Sequence, residues 1–252
     1  GTSMGAIIGG LYASGYSASE LDSILHKVDI YTLLQDMIDR NSLPFHQKRT
    51  DDRYALSLSL QDFSIDIPAG FSEGQDIYNF LSRLTLHVQE VRDFSKLPIP
   101  FLCMATDLTT GEEILIDRGY LPEAIRISGA FPTLLTPIEQ GKRLLSDGGI
   151  INNIPAMEVR KKGADILIAV SVEDGLYPKE ELGNAVNILS QISTFQMAAK
   201  SKEQLALCDL VIHPEIKGFT VTSFDAVDTL IHLGRSAALQ YWDSLLYFAH
   251  LA

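Results

Sequence analysis

The chain opens on Gly1-Thr2-Ser3-Met4-Gly5, which has the form G-x-S-x-G. In this pattern the serine sits on a sharp turn between a strand and a helix, and the turn exposes its hydroxyl group. Gly5, Gly9 and Ala13 follow at intervals of four residues, so they predict one smooth helix face that can lie close to a sheet. The stretch therefore predicts a helix immediately after Ser3 and makes Ser3 a candidate nucleophile, with Gly1 and Gly5 supporting the turn.

A second motif, Asp147-Gly148-Gly149, lies far downstream of Ser3. Because Asp-Gly is a common turn pair, the motif alone is most simply a turn between a strand and a helix. Paired with a serine it has a second interpretation, since two glycines let the loop approach Ser3 without Cβ clashes. Burial in apolar surroundings would raise the pKa of Asp147 and make it a stronger base. Asp147 is therefore the candidate base for Ser3.

The chain has six histidines, and one of them offers an alternative base. His213 follows Asp147 at the end of a predicted strand, which matches the Ser…Asp…His order of α/β-hydrolases. The other five lie in helical patterns or in a charged loop. A triad of Ser3, Asp147 and His213 therefore stays open beside a site of Ser3 and Asp147 alone.

Composition narrows the classes of function. Hydrophobic residues make up 46% of the 252 residues and charged residues 21%, which is typical of a globular chain. The net charge of −12 argues against binding to nucleic acid, which needs a basic stripe, and against electrostatic docking on anionic lipid. The sequence contains no apolar run of about 18 residues, so it predicts no transmembrane helix. No cluster of His, Cys, Asp and Glu has zinc spacing, so we expect neither a metal nor a cofactor.

The order of the predicted elements indicates the fold class. Residues 101–106 form a continuous apolar run, as expected of a strand that is covered on both faces, and Gly111 with residues 114–116 predicts a hairpin beside it. Residues 166–172 predict a second buried strand, and residues 181–201 predict a long helix. Because strands alternate with helices, we predict an α/β fold with a mainly parallel central sheet.

Four segments of the sequence together resemble a known family. They occur in one order along the chain: Gly1-Thr-Ser-Met-Gly5, Ala105-Thr-Asp107, Ala124-Ile-Arg-Ile-Ser128 and Asp147-Gly-Gly-Ile-Ile-Asn-Asn-Ile-Pro155. This set resembles a bacterial patatin-like phospholipase domain, from residue 1 to about residue 215.

The resemblance implies a three-layer α/β/α fold in which residues 1–252 form one hydrolase domain. It also implies a lipid acyl hydrolase that uses a Ser–Asp dyad without metal, with Ser3 as the nucleophile and Asp147 as the base. Asn153 and Pro155 match a recurrent loop with a structural role. The implied partner is a lipid or phospholipid at a transient membrane or micelle surface. The resemblance disfavours a catalytic role for His213.

The sequence departs from the family pattern in one respect. The family carries a glycine-rich oxyanion loop, G-G-G-x-[KR]-G, on a strand and turn before its serine, and this sequence begins after that point. The backbone amide of Met4 could supply one donor to an oxyanion, and each such donor contributes roughly 10²–10³ in rate. We therefore expect residues 1–252 alone to be impaired, and a non-catalytic interaction module on the same scaffold stays open. A lid that sets acyl-chain preference is expected within residues 30–95.

Overall fold

The computed structural model describes residues 1–36, 59–61, 64–66, 70–173, 175–176, 179–183 and 185–251. Much of the region predicted to carry a lid, residues 37–58 above all, lies outside the described residues. The lid therefore stays a prediction.

Helices and strands are mixed along the chain, which confirms the α/β class. The helices are α1 (Met4–Ala13), α2 (Ala18–Lys27), α3 (Ile30–Gln35), α4 (Gln75–Leu84), α5 (Leu121–Ser128), α6 (Ala156–Lys161), α7 (Ala185–Leu205), α8 (Val227–Leu239) and α9 (Trp242–Leu251). The strands are β1 (Ser59–Gln61), β2 (Ser64–Asp66), β3 (Gly70–Ser72), β4 (Cys103–Asp107), β5 (Glu112–Ile116), β6 (Thr133–Leu135), β7 (Ile138–Gln140), β8 (Arg143–Asp147), β9 (Ile168–Val170) and β10 (Leu210–Ile212).

The prediction of a mainly parallel sheet is wrong for the largest described sheet. Its four strands lie in the order β5-β4-β8-β7, and every neighbouring pair is antiparallel. The connections from β4 to β5 and from β7 to β8 are a few residues long, and such short connections can join only antiparallel strands. Two smaller pairs, β3 with β6 and β9 with β10, are parallel.

The two predicted buried strands differ in exposure. All five residues of β4 are buried, as the apolar run predicts. In β9 the side chains alternate instead, since Ala169 is buried whereas Ile168 is 44% exposed and Val170 is 62% exposed. The prediction for residues 166–172 is therefore wrong about burial on both faces.

Helix α1 begins directly after Ser3, as predicted, but a different face of it is buried. A Cβ atom at Gly10 would lie 2.5 Å from Cδ1 of Ile125, whereas a Cβ at Gly5 would meet nothing within 4 Å. The closely packed face runs through Ala6, Gly10 and Ala13, so the prediction of a close approach at Gly5 is wrong. The buried face of α1 is thus shifted by one residue from the predicted face, since Ala6 and not Gly5 lies against the core.

Helix α5 joins the two parts of the molecule that carry the site. Its Ile125 packs in one apolar cluster with Ala6 of α1 and Phe101. Its Ile127 packs in a second cluster with Ala105 of β4 and Leu145 of β8. Burial of each large aliphatic side chain contributes about 1.5–3 kcal/mol, so α5 fixes the serine helix against the strand that ends at Asp147.

Candidate active site

Ser3 lies on a strained turn immediately before α1. Its backbone has φ 53° and ψ −127°, a conformation that residues other than glycine rarely adopt and that costs about 1–3 kcal/mol. The turn is so tight that a Cβ atom on Gly1 would clash with the carbonyl oxygen of Gly5. Gly1 is thus required by close approach, and the G-x-S-x-G interpretation of the opening segment agrees with the local geometry.

The main chain of Ser3 is held, and its side chain is not used as a helix cap. The Ser3 carbonyl accepts hydrogen bonds from Ala6 N at 2.9 Å and Ile7 N at 3.1 Å. The Ser3 N–H donates to Oγ of Ser128, a fully buried residue at the end of α5, at 3.2 Å. A serine in this position commonly caps the helix with its hydroxyl, but Ser3 makes no such bond. Its hydroxyl is therefore left available for another partner.

Asp147 ends strand β8 and lies directly opposite Ala105 of β4. Only 2% of its surface is exposed, and its N–H donates to the Ala130 carbonyl at 3.0 Å. One carboxylate oxygen, Oδ1, accepts from the Gly149 N–H at 2.7 Å. A Cβ atom on Gly148 would lie 2.5 Å from the Met104 carbonyl group, so only glycine allows the chain to turn here.

Burial raises the pKa of Asp147 to about 6, even though the Ser3 side chain and the Gly149 N–H each lower it in part. Among the described residues, the other carboxylate oxygen, Oδ2, is buried without a hydrogen-bond partner. The Ser3 side chain is thus close enough to lower the pKa of the carboxyl, although it makes no complete hydrogen bond with Oδ2. Catalytic contacts are often loose before substrate binds and tighten afterwards.

The structure therefore brings Ser3 and Asp147 together but leaves His213 apart. His213 is exposed, and none of the hydrogen bonds or ion pairs among the described residues joins it to Ser3 or Asp147. Two other histidines have partners elsewhere: His26 contacts Asp228, and His87 contacts the Ser14 carbonyl.

Met4 is the candidate backbone donor to an oxyanion. Met4 is the first residue of α1, where backbone N–H groups have no acceptor within the helix, and its side chain is 44% exposed. Its role as an oxyanion donor stays a prediction.

Both cysteines are free: Cys103 is buried, and burial raises the pKa of its thiol to about 12, whereas Cys208 is only half-buried.

Sequence reasoning missed residues that hold the two motifs together. The hydroxyl group of Thr2, next to Ser3, donates to the carbonyl of Asn152 at 3.0 Å, and both residues are buried. Ser128 lies inside one of the quoted motif segments, but no local pattern assigns it to the Ser3 amide. The signal available in the sequence was a polar residue, Ser128, at the end of a helical segment.

The described part of the chain contains neither a metal-binding cluster nor a membrane-spanning helix. No group of three or more His, Cys, Asp or Glu side chains in this part of the chain is arranged to hold a metal ion. Within the same residues, no helix combines the length and the apolar character that crossing a membrane requires.

Together, the fold and the site place a serine hydroxyl beside a buried carboxylate on an α/β scaffold. Comparison with known proteins gives the family. The patatin-like phospholipase family model matches residues 1–160, so the chain belongs to that family. Membership implies the α/β/α architecture, although the largest described sheet is antiparallel.

Relatives of the chain are named as members of the NTE family. The chain is 34% identical to an uncharacterized NTE family protein of Mycobacterium tuberculosis over 172 residues, which is 68% of this chain and 39% of that protein. It is 30% identical to "Lysophospholipase NTE1" of the yeast Debaryomyces hansenii over 172 residues, 68% of this chain and 10% of that protein. The chain thus spans well under half the length of these relatives.

Proposed function

We propose that this chain is the catalytic part of a lipid acyl hydrolase that cleaves carboxylic esters through Ser3 and Asp147. The observation that carries the proposal is the buried carboxyl of Asp147, which has one oxygen without a hydrogen-bond partner and feels the side chain of Ser3, a serine on a strained turn. Family membership supports the same class of reaction.

In the first half-reaction, Ser3 Oγ attacks the ester carbonyl carbon while Asp147 takes the hydroxyl proton. The tetrahedral intermediate then collapses, the C–O bond to the alcohol breaks, and Asp147 returns the proton to the leaving oxygen. The acyl group remains on Ser3. Backbone N–H groups at the start of a helix are suited to hold the oxyanion, and the Met4 amide is the candidate donor in this chain.

In the second half-reaction, water attacks the acyl-serine while Asp147 takes one of its protons. The fatty acid leaves, and the proton returns to Ser3. A pKa of about 6 suits this role, because the carboxylate is mostly ionised at neutral pH and is still a stronger base than an exposed aspartate.

The substrate class that we propose is a phospholipid or lysophospholipid. One relative is named as a lysophospholipase, and a lysophospholipid carries the single carboxylic ester that the mechanism requires. The enzyme would meet such a substrate at a membrane or micelle surface.

The test measures release of fatty acid from lysophosphatidylcholine and of nitrophenol from short-chain nitrophenyl esters by the full-length protein. Ser3→Ala and Asp147→Asn should each reduce kcat by at least about 10³-fold, because each removes a group that acts directly on the reacting atoms. His213→Ala should stay within about twofold of wild type, since an exposed side chain that does not contact Asp147 takes no part.

Each alternative has its own outcome in this assay. Undiminished hydrolysis by Ser3→Ala or Asp147→Asn contradicts the dyad. A large loss in His213→Ala favours the triad. A folded wild type that binds lipid vesicles but hydrolyses neither substrate favours a non-catalytic interaction module.

A further inference from the structure

The segment that follows Asp147, residues 148–155, is bonded to distant elements through two glutamates; we call this segment the base loop. Asn152 Nδ2 donates to Oε2 of Glu113 at 2.8 Å, and Lys200 Nζ donates to Oε1 of the same carboxylate at 3.0 Å. Glu113 lies on β5 and Lys200 lies on α7. One carboxylate therefore connects the base loop to both the sheet and a long helix.

The second glutamate repeats the arrangement one residue further along the loop and the helix. Asn153 Nδ2 donates to Oε1 of Glu173 at 2.6 Å, and Ser201 Oγ donates to the same oxygen at 2.7 Å. Lys200 and Ser201 are neighbours on α7, as Asn152 and Asn153 are in the base loop. Two successive loop amides are thus matched to two successive helix residues through two carboxylates.

These contacts are placed where they act on both parts of the site. Asn152 is fully buried, and its carbonyl accepts the Thr2 hydroxyl from the serine turn. The Asn153 side-chain oxygen lies near Gly149, since a Cβ atom on Gly149 would be 3.0 Å from it and equally close to Oδ1 of Asp147. Movement of either asparagine would therefore disturb the packing beside Asp147 and the serine turn.

Glu113 is fit for a permanent contact of this kind. Burial pushes its pKa upward, but hydrogen bonds from Lys200 and Asn152 outweigh burial and hold the pKa of Glu113 below its usual value. The carboxylate is therefore ionised at neutral pH, and its two hydrogen bonds are of the strong, charge-assisted kind.

We propose that Glu113 and Glu173 are positioning residues that hold the base loop closed over Asp147 and keep water from its carboxylate. The inference rests on the hydrolase function proposed above. Neither glutamate touches the reacting atoms in this account; both act through Asn152 and Asn153.

The proposal predicts an effect on the ionisation of Asp147. Burial is the main cause of its raised pKa, and the two opposing contributions come from the Ser3 hydroxyl and the Gly149 N–H. Several charged groups lie on the elements packed around it. Asp107 of β4 contacts Thr109 and Arg143 of β8, and Glu113 of β5 is bonded to Lys200. Arg126 of α5 donates to the Thr136 carbonyl, and Glu139 of β7 is exposed. Admission of water should therefore move the pKa of Asp147 down, from about 6 toward that of an exposed aspartate.

The experiment measures kcat and KM of the full-length protein against pH for Glu113→Ala and Glu173→Ala. We expect kcat to fall about 10- to 100-fold, because small displacements of a catalytic group have effects of that size, with KM within about twofold. The midpoint of the acid limb should fall by about one pH unit. Glu113→Gln keeps an acceptor for Asn152 and should recover most of the lost kcat.

Matched controls come from neighbouring residues. Glu112→Ala removes an exposed glutamate from the same strand, and Lys202→Ala removes an exposed lysine from the same helix as Lys200. Both should behave as wild type, whereas Lys200→Ala should resemble a mild form of Glu113→Ala. Thermal unfolding of each variant shows how much of it is folded.

The proposal is overturned if Glu113→Ala and Glu173→Ala match Glu112→Ala. It is also overturned if they lose activity only in proportion to lost folded protein, with the acid limb unmoved. Asp147→Asn distinguishes failure of the positioning role from failure of the hydrolase proposal. If that variant is inactive while the glutamate variants are normal, the positioning role fails and the hydrolase proposal stands; if Asp147→Asn is fully active, both fail.

Discussion

The serine turn and the base loop lie side by side but are held by different means. The serine turn is fixed by main-chain geometry within a few residues, through the close approach of Gly1 to Gly5 and the strained φ of Ser3. The base loop is held by side chains from distant segments, since Glu113 lies 39 residues from Asn152 and 87 residues from Lys200. A turn that is fixed by local geometry can be recognised from a pentapeptide. Contacts that join three distant segments cannot be recognised from the sequence.

Both halves of the site should also lower the stability of the protein, through different physical terms. At Ser3 the cost is backbone strain, which does not depend on pH. At Asp147 the cost is burial of a charge, which is present only when the carboxyl is ionised. Stability measurements against pH can therefore separate the two halves.

The larger effect is expected for Asp147→Asn. The folded-state pKa of Asp147, about 6, lies above the value of 3.8 for an unperturbed aspartate, so the folded protein binds more protons than the unfolded chain between these values. The wild type should therefore lose up to about 3 kcal/mol of unfolding free energy as the pH rises from about 4 to above 6. Asn cannot ionise, so the variant should be more stable than wild type by about 2–3 kcal/mol near pH 8, and by little near pH 4.

Denaturant unfolding across this pH range checks the prediction, with Asp107→Asn as the matched control. Hydrogen bonds from Thr109 hold the pKa of Asp107 below its usual value, so this carboxylate stabilises the folded state above its unfolded pKa, and stability is lost as pH falls. Asp107→Asn should therefore have the opposite sign and be destabilising at neutral pH. A difference between wild type and Asp147→Asn that is independent of pH would contradict burial of an ionising Asp147.

A smaller effect is expected for Ser3→Gly. Glycine adopts positive φ without steric cost, so relief of the strain at φ 53° should raise the unfolding free energy by about 1 kcal/mol relative to Ser3→Ala, at every pH. The comparison with Ser3→Ala removes the effect of losing the hydroxyl. Equal stability of the two variants would show that the turn is not strained.

The sequence was most informative where a few adjacent residues determine the structure. The opening motif correctly placed a helix after Ser3. The buried run at residues 101–106 and the hairpin after it were also correct. Each of these patterns depends on contacts within a single element or across one short turn.

The errors have two sources. Alternation of helices and strands suggested parallel pairing, but the short connections from β4 to β5 and from β7 to β8 impose antiparallel pairing. The other errors arose where the structure depends on distant contacts. The glycine spacing led us to expect close packing at Gly5. This was wrong because the spacing alone does not show which helix face meets the core. Glu113 and Glu173 were not identified as site residues because their partners, in the base loop and on α7, are distant in the sequence.

The central claim is that Asp147 activates Ser3 without a histidine between them. The most direct measurement is the rate at which a fluorophosphonate modifies Ser3 of the full-length protein, followed by mass spectrometry of the labelled peptide against pH. The account predicts a rate that rises through a single ionisation near pH 6, is nearly abolished in Asp147→Asn and is unchanged in His213→Ala. A rise that survives in Asp147→Asn, or one that disappears in His213→Ala, would contradict it.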